Sequence, residues 1–137
     1  MNKLFGRICE IDSNSHLSLV NVLSGNQVFT ATLLEIPESA PYLKINNDVT
    51  LLFKETEVSI AKDFRGTISL SNRFPAIVNG MERGKILSCV YLQHQNNEIV
   101  SVITTASLDR LAVRNGDAVE GFIKANEIIL MEGRWAE

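Results

Sequence analysis

The sequence predicts an all-β protein made of two tandem, small five-stranded barrels, each with a short helical turn. Three observations carry this. Short runs rich in Val, Ile, Leu and Thr alternate with glycine and asparagine turns along nearly all of the 137 residues. The pattern also occurs twice: Asn2-Lys3-Leu4-Phe5-Gly6-Arg7-Ile8 and Asn72-Arg73-Phe74-Pro75-Ala76-Ile77-Val78 open segments that close on Leu51 to Ile60 and Gly121 to Leu130. One offset of seventy residues separates Asn2 from Asn72 and Lys54 from Lys124, which makes the chain one small unit used twice. Finally, only Thr105 to Leu111 shows helical spacing.

The elements follow in order. The first repeat reads as a strand around Arg7 to Ile11, another over Leu17 to Leu23, a turn at Ser24-Gly25-Asn26 and a strand over Gln27 to Thr32. Leu33 to Leu43 contains Pro37 and Pro41, and proline removes a backbone donor and clashes with the preceding turn, so no regular helix is expected there. Strands resume at Val49 to Phe53 and Val58 to Ile60. The second repeat has strands at Ala76 to Val78 and Ile86 to Leu92, with Asn79-Gly80 and Glu82-Arg83-Gly84 as turn or bulge positions between them. A hairpin loop at His94 to Asn97 leads to a half-buried strand over Glu98 to Thr104. Thr105 to Leu111 should form one or two helical turns, ended before Asn115-Gly116-Asp117. Strands at Ala118 to Lys124 and Glu127 to Met131 follow. Five short strands and a helical turn describe an OB-like β-barrel, with repeats at 1–66 and 67–137. Units of about 65 residues have thin cores, so packing against another copy or another chain is expected.

Composition narrows the function classes. A content of 45% hydrophobic and 21% charged residues is ordinary globular usage. No stretch approaches the roughly 20 apolar residues of a membrane helix, so the chain reads as soluble and untargeted, with no membrane partner. Cys9 and Cys89 have neither CxxC spacing nor clustered histidines around them. That disfavours a disulfide framework and a metal site and fits a reducing cytoplasm. The net charge of -3, without a Lys/Arg run, argues against direct nucleic-acid binding. His16 and His94 fall in polar turns and read as solvated loop residues. No Ser/His/Asp order, phosphate loop or carboxylate pair stands at informative spacing, so no catalytic residue is assigned and an enzyme is not expected. Trp135 sits in the C-terminal tail, either frayed or docked across a subunit contact.

The second repeat then resembles a known module. Asn-x-aromatic-Pro-x-Ile-Val, Glu82-Arg83-Gly84, Ile103-Thr104-Thr105-Ala106-Ser107-Leu108, Asn115-Gly116-Asp117 and Phe122-Ile123-Lys124-Ala125 are similar, in that order, to the Mop (TOBE) module. The module occurs in molbindins and in the effector-binding half of molybdate-responsive regulators and transporter ATPases, and two in tandem resemble a di-Mop protein. The resemblance implies a pocket for molybdate or tungstate, bound as the oxyanion and not as a metal ion, between modules of different subunits. It also implies a homo-oligomer, a trimer with a dimer as the alternative, and a cytoplasmic role in molybdenum storage, homeostasis or sensing. At the matching positions Thr104 and Ser107 would offer hydroxyls and N–H groups, while Lys124 and the Ala125 amide would supply a cation and a further donor. The family's Ser-Ala-Arg-Asn segment, delivered from a neighbouring subunit, reads Ser69-Leu70-Ser71-Asn72, so Ser71 stands in the arginine position and Arg73 lies two residues on. In the first repeat Thr32 is matched to Thr104 and Lys54 to Lys124. There Glu35 takes the serine position and Glu55 that of Ala125, and because a carboxylate repels a dianion, Thr32 and Lys54 are expected to form a weaker or structural half.

The residues alone leave alternatives open. Hydroxyls just before Leu108 are what a tetrahedral dianion needs, and equally what an N-cap needs. Glu82-Arg83-Gly84 is a functional tip or a charged turn. Two other functions compete: an oxyanion-sensing module acting with a separate regulator or transporter subunit, and an OB-like binder of single strands. Acidic balance and sparse aromatics disfavour the latter.

Overall fold

The computed structural model describes residues 1–135. Their strands are β1 (Asn2–Ser13), β2 (Ser18–Ser24), β3 (Gln27–Leu33), β4 (Asp48–Phe53), β5 (Ser59–Ala61), β6 (Asn72–Glu82), β7 (Leu87–His94), β8 (Asn97–Thr104), β9 (Ala118–Ile123) and β10 (Ile129–Glu132). A single helix, α1 (Thr105–Leu111), lies in the second repeat, and three-residue 3-10 turns at Glu55–Glu57 and Ala125–Glu127 follow β4 and β9. The expected all-β class with two five-stranded units holds: the sheets run β10-β4-β1-β2-β3 and β5-β9-β6-β7-β8. Each repeat has its short 3-10 turn, but α1 is not shared by both. Where α1 would fall in the first, Pro37 and Pro41 leave only turns, closed by Ala40 N–H to the Ile36 carbonyl at 2.9 Å and Leu43 N–H to the Ala40 carbonyl at 3.0 Å.

Strand alternation explains the long first strand of each repeat. Along β6, Asn72, Phe74, Ala76 and Val78 point inward and Arg73, Pro75 and Ile77 outward. Both β1 and β6 carry a bulge at the same repeat position, between Ile8 and Glu10 and between Val78 and Gly80. A bulge bends a strand without ending it. Asn79-Gly80 is therefore a bulge within a continuous strand, and β6 runs on to Glu82.

The closing strands are exchanged. β10, from the second repeat, pairs antiparallel with β4 (Ile129↔Leu52, Leu130↔Leu51), and β5, from the first, pairs with β9 (Ser59↔Phe122, Ile60↔Gly121). One compact unit accordingly holds Lys3–Phe53 and the chain from Lys124 onward, and the other holds Asn2 and Lys54–Ile123. These units cross the 66/67 division of the sequence repeats.

In the second unit the Asn2 side chain donates to the Val100 carbonyl and accepts from the Val100 N–H, both at 2.8 Å, occupying backbone groups of edge strand β8. In the first, Thr50 Oγ1 donates to the Gly133 carbonyl at 2.8 Å and accepts the Trp135 N–H at 2.7 Å, while Lys3 Nζ lies 4.9 Å from the Trp135 ring centroid. The Trp135 end of the tail is thus tied to its own sheet rather than frayed.

Each unit has a separate core. Leu4, Ile8, Val20, Val22, Phe29, Leu51 and Phe53 fill the first, and Phe74, Val78, Val90, Leu92, Ile99 and Ile123 the second. Burying each large apolar side chain is worth about 1.5–3 kcal/mol. The two cores solve one position differently. Phe74 faces Gly121 in the β6–β9 register and would come within 2.2 Å of a Cβ there, whereas the positions seventy residues earlier are Leu4 and Leu51, both buried.

His94 corrects an expectation. It is not a solvated loop residue: it ends β7 buried, 3% exposed, with Nδ1 donating to the Pro75 carbonyl at 2.8 Å and its ring 5.0 Å from that of Phe74.

Candidate functional site

The hydroxyl-bearing segment is built from β7, β8 and the α1 turn. Thr104 is the N-cap: Oγ1 accepts the Ser107 N–H at 3.1 Å and donates to Ser107 Oγ at 2.8 Å. Arg110 Nη2 donates to the same Ser107 oxygen at 3.0 Å. Thr104 therefore does cap α1, and both hydroxyls remain accessible beside a guanidinium. Sequence reasoning missed Arg110, although its place one helical turn after Ser107 was a usable signal.

Beneath this surface the turn at Glu82-Arg83-Gly84 anchors the helix. Buried Thr105 donates from Oγ1 to the Gly84 carbonyl at 2.8 Å and lies 2.7 Å from Ser88 Oγ, which accepts the Gly84 N–H at 3.3 Å. Arg83 forks onto Asp109, with Nη2 to Oδ2 at 2.9 Å, and its guanidinium holds the Asp109 carboxyl below the usual carboxylate range, chiefly by hydrogen bonding. Leu108 is buried beneath, and Ala112 ends the helix in the left-handed region at φ 52°. The charged turn is thus a structural clamp on α1.

The first repeat shows what happens without that helix. Ser18 is the counterpart of Ser88 and is equally buried, yet its hydroxyl finds no partner among the described residues. A buried unpaired hydroxyl costs about 1–3 kcal/mol. Ser18→Ala should therefore be neutral or stabilising, while Ser88→Ala, which strips Thr105 and the Gly84 N–H of a partner, should cost about 1–2 kcal/mol in denaturant unfolding.

The other candidates are dispersed. Ser69 and Ser71 are exposed in the connection between β5 and β6. Asn72 is 1% exposed and faces inward opposite Ile123. Arg73 forks onto Glu120, which raises the guanidinium pKa further, and lies over the rings of Phe64 and Phe122 at 5.1 and 5.7 Å. Lys124 and Lys54 are exposed, each immediately before a 3-10 turn, and neither makes an ion pair among the described residues. Strand exchange separates the set by unit: Thr104, Ser107 and Lys54 belong to one, Thr32, Lys124 and Ala125 to the other. The match of Thr32 to Thr104 is also corrected. The strand registers Ser18↔Leu33 and Ser88↔Ile103 make Val102 the counterpart of Thr32, and Leu34, 86% exposed, the counterpart of Thr104. Among the described residues no cluster of His, Cys, Asp or Glu could hold a metal ion, and no helix is long and apolar enough to cross a membrane.

Known proteins share this architecture. Residues 63–130 match the TOBE domain model. The molybdenum transport protein ModE of Herbaspirillum seropedicae is 26% identical over 132 residues, covering 94% of this chain and 49% of that protein. The molybdenum import ATP-binding protein ModC of Brucella abortus (strain 2308) is 33% identical over 84 residues, covering 61% of this chain and 23% of that protein. The chain thus spans about half the length of the first of these relatives and about a quarter of the second. A crystal structure of the cytoplasmic molybdate-binding protein ModG with molybdate bound superposes with a TM-score of 0.87 at 24% identity, covering 97% of this chain and 96% of that one. The repeat and the family match agree: the chain carries a TOBE domain over residues 63–130.

Proposed function

We propose that the chain binds molybdate, with tungstate as its close substitute, as a tetrahedral dianion at contacts between copies of itself, and serves molybdenum storage, homeostasis or sensing in the cytoplasm without catalysing a reaction. The observation that carries this is the accessible Thr104–Ser107 hydroxyl pair, clamped on α1 within the segment that matches the TOBE domain. ModE, ModC and ModG, the proteins it resembles, carry molybdenum or molybdate in their names.

Ser107 and Thr104 supply hydroxyls, Lys124 the cation and the Ala125 N–H a further donor, while the exposed Ser69 and Ser71 come from a neighbouring copy; Asn72 is buried and Arg73 is forked onto Glu120, so neither reaches out from that segment. Thr104 and Lys124 lie in different compact units, and the set is read as one completed where copies of the chain meet. The exposure of Leu34 at 86%, Ile86 at 73% and Leu87 at 54% supports burial against another copy, in a trimer or, as the alternative, a dimer. A dianion that bridges copies stabilises the assembly by mass action, by about 2.7 kcal/mol at a hundredfold excess over Kd.

Calorimetric titration with molybdate tests the residues. A charge-assisted hydrogen bond is worth about 1.5–3 kcal/mol, so Lys124→Ala should weaken binding roughly 10- to 100-fold. Lys54→Ala, next to Glu55, should leave it nearly unchanged. Equal losses in the two variants would contradict the asymmetry.

A further inference from the structure

A groove of about 250 Å³ in the first unit is lined by Phe5, Arg7, Leu23, Asp48 and Arg134 around Gly6. The Arg134 guanidinium lies 4.3 Å from the Phe5 ring centroid, and it has no acceptor among the described residues. Arg7 gives only Nε to Asp48, at 3.0 Å, and its side chain is 70% exposed. Lys3 stands nearby on the same strand, over Trp135. Two guanidiniums against one carboxylate leave the groove lining net positive in a chain of net charge -3.

The second repeat is an internal control. Seventy residues along, the counterparts of Arg7 and Asp48 are Ile77 and Ala118, and Phe64 stands where the offset puts Arg134. The scaffold therefore builds this region without a counterpart of Arg7, Asp48 or Arg134, although Arg73 keeps a cation at the position of Lys3, so those three charges are not a requirement of the fold.

A guanidinium lying on an aromatic ring keeps its in-plane N–H donors for a phosphate and its outer face for a second ring. Leu23, 43% exposed, adds an apolar wall. We propose that this groove binds a small phosphorylated aromatic molecule of the nucleoside monophosphate class, with its phosphate on Arg7 and Arg134 and its ring stacked on the Arg134 guanidinium. The groove shares no residue with the proposed oxyanion set, and its volume suits one such molecule and not a polymer.

Titration of the full chain with AMP, adenosine and inorganic phosphate, read by calorimetry and by fluorescence of the only tryptophan, Trp135, tests this. AMP should bind saturably and at least tenfold more tightly than either fragment, whether or not molybdate is present. Arg134→Ala and Arg7→Gln should each weaken AMP at least tenfold, and Arg134→Lys should keep phosphate binding but lose the advantage of the ring. If Arg134→Ala loosens the tail, Arg7→Gln carries the test alone. The proposal is overturned by unsaturable AMP binding, by AMP binding indifferent to both arginines, or by an oligodeoxyadenylate that outcompetes AMP at equal nucleotide concentration.

Discussion

Gly121→Leu is expected to destabilise the protein by about 3 kcal/mol, because the space beside Gly121 already belongs to Phe74. Even a Cβ there would come within 2.2 Å of the Phe74 ring, which is fully buried and has no room to withdraw. Phe74→Leu alone removes buried ring atoms and should cost about 1.5 kcal/mol. The double variant Gly121→Leu/Phe74→Leu copies the Leu4 and Leu51 pair that the first unit already uses. It should recover most of that loss and stand about 1.5–2 kcal/mol below the parent, a coupling of about 2.5–3 kcal/mol, the upper end of what touching residues show. Chemical denaturation of the four proteins measures this, and additive losses would show that the two cores are not built on interchangeable solutions.

The second large effect is expected at Gly84. A Cβ there would meet the Leu87 carbonyl oxygen at 2.1 Å, and because that atom is backbone, no side-chain rotation can relieve the clash. Moving the Gly84 peptide also breaks its bonds to Thr105 and Ser88, which seat α1. Gly84→Ala should cost about 3 kcal/mol and lower the melting temperature by roughly 10 °C. The α1 amides should exchange faster with solvent, and molybdate affinity should fall with them, since Thr104 and Ser107 lose their support. A variant with normal melting and normal exchange would show that the turn is not the clamp described here.

Much of this was legible in the sequence. The strands announced themselves by alternation, and Thr105 to Leu111 was bounded by a capping threonine before it and Asn115-Gly116 beyond it, so the helix falls where the pattern put it. The exchange of closing strands was not legible, because Lys54 to Ile60 and Lys124 to Leu130 offer either sheet nearly the same edge; chain connectivity, not local pattern, chooses between them. His94 was misread from its polar neighbours Gln95 and Asn96, although counting by two from Ser88, Val90 and Leu92 puts it on the inward face of β7. Thr32 was matched to Thr104 by residue type, whereas the offset of seventy leads to Val102. Legibility failed where two segments were alike or where one residue was judged apart from its strand.

Native mass spectrometry of the purified protein, with and without molybdate, tests the central claim most directly. Oxyanion binding between copies predicts a trimer or dimer that gains a whole-number set of molybdate masses, with a count that tells whether one or both repeats bind. An oligomer that never gains mass at saturating molybdate would contradict it, and would leave Thr104, Ser107 and Lys124 with structural work alone.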